Sequence, residues 1–138
     1  MNYRYLALAV LWMALIFYLS SIPYLGIKGL DEIANQISRK SIHVIIYGIL
    51  ALLIWHSFPM LDKNLSKKIV LCGFLAILFA VSDEIHHGFV PGRSGNAKGV
   101  LFDFIGIAVV ITWLGIKRSS EPPATASSPD NQARQLCK

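Results

Sequence analysis

The residues able to do chemistry crowd into one stretch, Ser82 to Gly106, which reads SDEIHHGFVPGRSGNAKGVLFDFIG. It holds three of the chain's eight acidic residues (Asp83, Glu84, Asp103), two of its four histidines (His86, His87), and Arg93 on a Pro-Gly turn. On a helix Asp83 and His87, like Ser82 and His86, are four residues apart. Asp83 and His86, and Glu84 and His87, are three apart, so each pair is able to meet on the helix surface. A carboxylate that fixes a histidine's tautomer makes an acid–base couple. The same residue types at helical spacing are also able to converge on a metal ion. Asp83, Glu84, His86 and His87 are therefore the candidate catalytic residues. Arg93 suits a phosphate or carboxylate ligand, which a guanidinium grips through paired hydrogen bonds.

A second polar group lies upstream. Lys40, His43 and Tyr47 fall at i, i+3 and i+7 and share one helix face. With Arg93 and Asp103 they are the candidate ligand contacts. Each residue alone has a plain structural explanation: a solvated helix end, an ion pair that pins a loop, a histidine that bonds across helices. It is the set that points to function. Taken alone, Tyr47, Trp12, Trp55 and Trp113 read as core or interfacial aromatics, and His56 as a boundary residue. HExxH, CxxC, P-loop, GxSxG and dinucleotide patterns are absent from the sequence. No cofactor is implied, and a metal stays compatible with the histidines and carboxylates.

The elements that must position these groups are apolar. Of 138 residues, 54% are hydrophobic and only 15% are charged, where a soluble domain carries about 25% charge. A chain this short has no way to hide so much apolar surface from water. The class is integral membrane protein. The net charge of +5 fits basic residues flanking spans, not nucleic acid. Tyr5–Leu19 reads as a first, retained transmembrane helix, stopped at Ser20, Ser21 and Pro23. Tyr24–Lys40 is a connector in which Leu30, Ile33, Ala34 and Ile37 form one apolar face, as in an interfacial helix. Ile42–Phe58 is the second span, ended by Pro59, and Met60–Lys68 a polar turn. Ile69–Val81, running on into Glu84, is the third, Gly88–Lys98 a loop, and Gly99–Ile116 the fourth. The expected fold is an all-α integral membrane protein: an antiparallel four-transmembrane-helix bundle with an interfacial helix between spans one and two. Residues 1–118 form the membrane domain, and 119–138 a disordered polar tail rich in Pro, Ser and Ala. Cys72, inside an apolar run, and Cys137 are not expected to pair.

An even number of spans puts both termini on one side. Arg4, Lys63, Lys67, Lys68, Lys117 and Arg118 then face Lys28, Arg39, Lys40, Arg93 and Lys98 across the membrane. The difference favours cytoplasmic termini and an extracytoplasmic motif loop. Ser20, Ser21, Lys40, His43, Asp83, Glu84, His86, His87, Arg93 and Asp103 all lie toward the outer face. The other face carries little beyond lysines and His56. One end of the bundle is thus a polar, ionisable cup, and such groups in membrane helices face a bundle interior or a water-filled cavity.

Three motifs carry a family resemblance. The run from Asp83 to Gly95, DEIHHGFVPGRSG, resembles the signature of the VanZ-like membrane proteins, roughly D-E-x-H-Q-x-F-x-P-x-R. Asp103-Phe104-Ile105-Gly106 resembles the last part of that signature, an Asp, then Asn or Asp four residues on, then Gly. Lys40-Ser41-Ile42-His43-Val44-Ile45-Ile46-Tyr47 is similar to the family's K-x-x-H-x-x-x-Y, and Ser20-Ser21-Ile22-Pro23 to its S-S-x-P. Together they span Met1 to about Arg118. The sequence departs from the pattern at His87, where glutamine is usual, and at Gly99, where the first aspartate of the final motif is expected. If that aspartate acts in catalysis or ligation, Asp103 replaces it only by a shift of one helical turn. The resemblance implies a multi-pass protein of the bacterial plasma membrane and, through the member that names the family, a link to teicoplanin resistance. Two functions follow as expectations. One is binding of an anionic or amphiphilic envelope ligand, a lipid headgroup, cell-wall precursor or lipoglycopeptide, by Arg93, Lys40, His43, Asp83 and Glu84. The other is catalysis on a lipid-linked substrate by Asp83 or Glu84 with His86 or His87. A structural role in a larger membrane complex is the third possibility.

Overall fold

The computed structural model of the chain describes residues 1–22, 32–90 and 97–120, and the side chains of all of these except 32–40, 97 and 98. The described residues form four long helices and a short 3-10 turn: α1 Tyr3–Ser20, α2 Glu32–Ser57, the turn Pro59–Leu61, α3 Leu65–His87 and α4 Ala97–Ser120. Three of them, Tyr3–Ser20, Leu65–His87 and Gly99–Ser120, contain segments long and apolar enough to cross a membrane. At 1.5 Å per residue, the 23 residues of α3 reach about 35 Å, against a hydrocarbon core of about 30 Å. The expected second span is the shorter apolar segment Ser41–Ser57.

That segment is the second half of a longer helix. α2 has 26 residues and begins at Glu32, so residues 32–40 do not form a surface helix of their own. The sequence explains this: no Gly or Pro stands between Glu32 and Tyr47, and nothing else ends a helix at Lys40. Tyr24–Asp31 lie outside the described residues. The expected polar turn Met60–Lys68 is also shorter than read. Asn64 caps α3 by accepting the Lys67 backbone N–H at 3.1 Å, as asparagine does at a helix start, and it draws Lys67 and Lys68 into the first turn. The expected tail from Ser119 begins inside α4, which runs to Ser120; residues 121–138 lie outside the described ones.

The helices run up, down, up, down. The backbone N–H of Asn2, before α1, meets the Ser57 carbonyl at the end of α2 at 2.9 Å, and the Trp12 indole N–H donates to the Ile46 carbonyl at 3.0 Å. The interior is built from Ile16, Tyr47, Leu50, Ile107 and a line of small residues on α3, Cys72, Ala76 and Ala80. Small residues let membrane helices approach closely where no hydrophobic drive exists between them. Leu11, Val70, Phe74, Val109 and Trp113 point outward and are exposed, the arrangement expected where lipid is the solvent.

α2 and α4 approach closely at Gly106. A Cβ built on Gly106 would fall 2.9 Å from the carbonyl carbon and 3.1 Å from the Cα of Val44, and closer still to its oxygen. Only glycine allows backbones this near. Gly48 faces Val110 across the same seam. At the far end of the bundle Lys68 is buried, paired with Asp62 and 4.6 Å above the Trp55 ring. Asp62 also reaches Arg118 at 3.5 Å. This end is therefore more than a row of solvated lysines, because Asp62 gathers Lys68 and Arg118 beneath the helices. His56 there is a boundary residue, bonded to the Leu52 carbonyl at 2.8 Å and 5.2 Å from the Tyr5 ring.

Candidate functional site

Up-down packing brings the C-terminal ends of α1 and α3 to the starts of α4 and of the apolar half of α2. Asp83 lies where α1, α2 and α3 meet, and is 1% exposed. Its Oδ2 accepts the Tyr47 hydroxyl at 2.8 Å and the Ser20 hydroxyl at 3.1 Å. Its Oδ1 is buried and has no hydrogen-bond partner among the described residues.

Around it, two histidines are each held by a carboxylate. His87 Nδ1 lies 3.2 Å from Glu84 Oε2, and its Nε2 is 3.8 Å from Asp83 Oδ2. The expected i+3 and i+4 pairings of His87 are thus both present, the first as a hydrogen bond. His43 Nδ1 lies 3.1 Å from Asp103 Oδ1, and Asp103 is buried. A carboxylate accepts, so the proton sits on Nδ1 in both rings, and neutral His43 presents Nε2 as an acceptor. The His43 ring stacks near Tyr47 with centroids 6.0 Å apart and meets His87 edge-on at 5.8 Å. His43 and Tyr47 therefore share a face, as their spacing predicts.

His86 departs from the expectation. Next to His87 but turned about 100° around the helix, it faces α1. There it stacks on Phe17 at 4.1 Å and bonds Ser21 through Nε2 at 2.9 Å. The Ser21 hydroxyl donates to the Phe17 carbonyl at 2.7 Å, so His86 Nε2 is the donor to Ser21. Bonded in this way, His86 is a seam between α1 and α3, and among the described residues neither its expected pairing with Asp83 nor that with Ser82 forms. Lys40, by its side chain, and Arg93 lie outside the described residues.

Glu84 is placed by a missing side chain. A Cβ on Gly99 would lie 2.5 to 2.9 Å from the Glu84 carboxylate atoms. Glu84 thus rests on the first turn of α4, where backbone N–H groups have no partner within the helix and the dipole favours an anion. The space an aspartate at 99 would need is filled by Glu84. Asp103, one turn further in, is engaged by His43. Ser20 is the contact that residue-type reasoning left off the site. Its signal is the Ser20-Ser21-Ile22-Pro23 motif. Among the described residues no group of three or more His, Cys, Asp or Glu side chains is placed to hold a metal ion.

Long apolar helices define a multi-pass membrane protein, and Asp83, Asp103 and His87 are buried at one end of its bundle. The family model VanZ/LLP1 matches residues 5–118, and the chain belongs to that family. Neither curated proteins nor solved structures gave a significant match.

Proposed function

We propose that this protein binds the polar head of an amphiphilic component of the bacterial cell envelope at the Asp83 end of its bundle. The carrying observation is Asp83 itself, buried among apolar helices with one carboxylate oxygen unpartnered among the described residues. Burying a polar atom without a partner is costly, and ionisable residues inside membrane helices mark binding or transport sites. His43, Glu84, His87 and Asp103 surround it. Lys40 and Arg93 supply contacts for an anionic part of the ligand. The lipid-facing side of α2 and α4 carries an apolar groove of about 340 Å³ lined by Val44, Gly48, Leu52, Gly106, Val110 and Trp113, which supports an acyl chain as the rest of the ligand. In this reading four spans cross the plasma membrane, the termini are cytoplasmic, and the site opens outward. A teicoplanin-resistance role follows if the bound ligand is the target or the lipid tail of the drug.

Two measurements test it. A single cysteine at Ser94, with Cys72 and Cys137 changed to serine, is expected to react with an impermeant maleimide on intact cells. Labelling only after permeabilisation overturns the outward orientation. Expression in a susceptible host is expected to raise tolerance to teicoplanin but not to a glycopeptide without a lipid tail, and Arg93→Ala to remove the effect at equal abundance. Unchanged tolerance from the wild-type chain overturns the resistance role.

A second reading, catalysis on a lipid-linked substrate, is favoured by His87 standing between Glu84 and Asp83. Such a ring is oriented for proton transfer. Full turnover in a folded Glu84→Gln protein overturns the acid–base role of that residue.

A further inference from the structure

We propose that His43 Nε2 is the atom that accepts a hydrogen bond from the ligand, and that the donor is a neutral hydroxyl of the lipid head, as in a phosphoglycerol or sugar head. The proposal rests on the head-binding reading above and deepens it, naming the residue that selects the head and the group it selects.

Three histidines lie at this end of the bundle, and their ring nitrogens are used differently. His87 has a carboxylate near each nitrogen, Glu84 at 3.2 Å from Nδ1 and Asp83 at 3.8 Å from Nε2. His86 is bound to Ser21 through Nε2 and stacked on Phe17, and among the described residues no carboxylate orients it. His43 combines a held nitrogen with an open one. Its Nδ1 donates to Asp103 Oδ1 at 3.1 Å, and among the described residues Nε2 has no hydrogen-bond partner. The His43 side chain is 20% exposed, against 2% for Asp103. Among the described residues the buried side-chain atom left without a partner is Asp83 Oδ1. His43 Nε2 is not such an atom, so it is both unbonded and reachable.

The ring is also fixed in place. Tyr47, fully buried, lies alongside it at 6.0 Å, and His87 meets it edge-on at 5.8 Å. The Asp103 carboxylate on α4 sets the tautomer in which Nε2 carries a lone pair. A lone pair on a neutral ring accepts one hydrogen bond and offers no countercharge. A hydroxyl fits that atom: one donor, and no charge to compensate. An ammonium seeks a carboxylate instead, and a phosphate without a hydroxyl brings acceptors only. Lys40 and Arg93 remain for the phosphate to which the hydroxyl-bearing group is joined. Lys40, three residues before His43, is the rival donor to Nε2, and the experiment addresses it first.

The full chain, carrying nitrogen-15 histidine, is placed in nanodiscs of phosphatidylcholine at about pH 8, above the ordinary histidine range. The His43 signal, assigned by its loss in His43→Asn, is expected to show an unprotonated Nε2 that does not respond to Lys40→Met. A protonated Nε2, or one that moves with Lys40→Met, overturns the proposal. Phosphatidylglycerol is then compared with phosphatidylmethanol, which has the same charge but no hydroxyl. The first is expected to shift the Nε2 signal and the second to leave it. In discs doped equally with both, the lipids retained on the protein are counted by native mass spectrometry. Phosphatidylglycerol is expected to be retained over phosphatidylmethanol by about three- to tenfold, the scale of one neutral hydrogen bond. His43→Asn keeps an N–H for Asp103 and removes Nε2, and is expected to bring the two lipids to parity. If that variant does not fold, the wild-type ratio and the Nε2 shift decide. Equal retention of the two lipids with no Nε2 shift overturns the hydroxyl assignment. If both are still enriched over phosphatidylcholine, the head-binding reading survives with an anionic head. Phosphatidylethanolamine shifting Nε2 where phosphatidylglycerol does not overturns the hydroxyl in favour of an amine. If no head is preferred, the proposal and the head-binding reading both fall.

Discussion

Gly106→Ala is the substitution in which fold and site meet. The new Cβ would lie 2.9 Å from the Val44 carbonyl carbon and 3.1 Å from its Cα. Carbon atoms rest about 3.5–4.0 Å apart, so α2 and α4 must separate by roughly 0.5–1 Å. The obstacle is helix backbone, and no rotamer change relieves it. Overpacking of this kind costs about 1–3 kcal/mol, and the upper end applies where both partners are backbone. The same separation acts one turn away, where His43 Nδ1 and Asp103 Oδ1 lie 3.1 Å apart. Stretched to about 4 Å that bond is lost, and a buried carboxylate left without its partner costs about another 1–3 kcal/mol. The expected loss is therefore about 4–6 kcal/mol, a large share of a typical domain's total stability. Reversible unfolding in mixed micelles reads the stability, and nitrogen-15 spectra of labelled histidines read the His43 bond. Gly115→Ala is the control: its Cβ would meet only the Ile69 side chain, nearest at 3.3 Å, and is expected to cost less than about 1 kcal/mol. The reasoning is refuted if Gly106→Ala unfolds within about 0.5 kcal/mol of wild type or leaves the His43 signals unchanged.

Tyr47→Phe removes the shorter of the two bonds to Asp83 Oδ2. It is expected to cost about 1–2 kcal/mol, and in a cycle with Ser20→Ala to be non-additive, since both hydroxyls serve one oxygen. Asp62→Ala strands Lys68, 3% exposed, and is expected to cost about 1–3 kcal/mol in the same unfolding assay, with restoration when Lys68→Met is added. Gly99→Ala is expected to leave stability nearly unchanged, because the obstacle is the flexible end of Glu84. It should move Glu84 off His87 Nδ1, seen as a change in the His87 ring-nitrogen signals. An unshifted His87 spectrum there contradicts the assigned Glu84 position.

How far the sequence led is clearest at particular residues. The four helices were legible because a long apolar run has few alternatives, and Pro59 and the polar breaks marked where runs ended. The boundary at Lys40 was not, because an amphipathic segment and an apolar one join smoothly when neither Gly nor Pro parts them. The 3.6-residue period placed His43 with Tyr47, and His87 with Asp83 and Glu84. It gave His86 the same standing as its neighbour, and packing against α1 separated them. Nothing in the residue pattern distinguished Asp62 from any loop acid, since its partners Lys68 and Arg118 come from the start of one helix and the end of another.

By itself, then, the sequence determined the membrane class, the helices, the crowding of ionisable groups toward one end and the VanZ resemblance. These depend on composition, period and local order, which a linear chain displays. Only the tertiary structure decided which groups pair. Ser20 and Tyr47 reach Asp83 across 63 and 36 residues, and His43 reaches Asp103 across 60. Those meetings depend on how closely helices pack, and that closeness is set by atoms that are absent: the missing side chain of Gly106, which lets α2 approach α4, and that of Gly99, which gives Glu84 its seat.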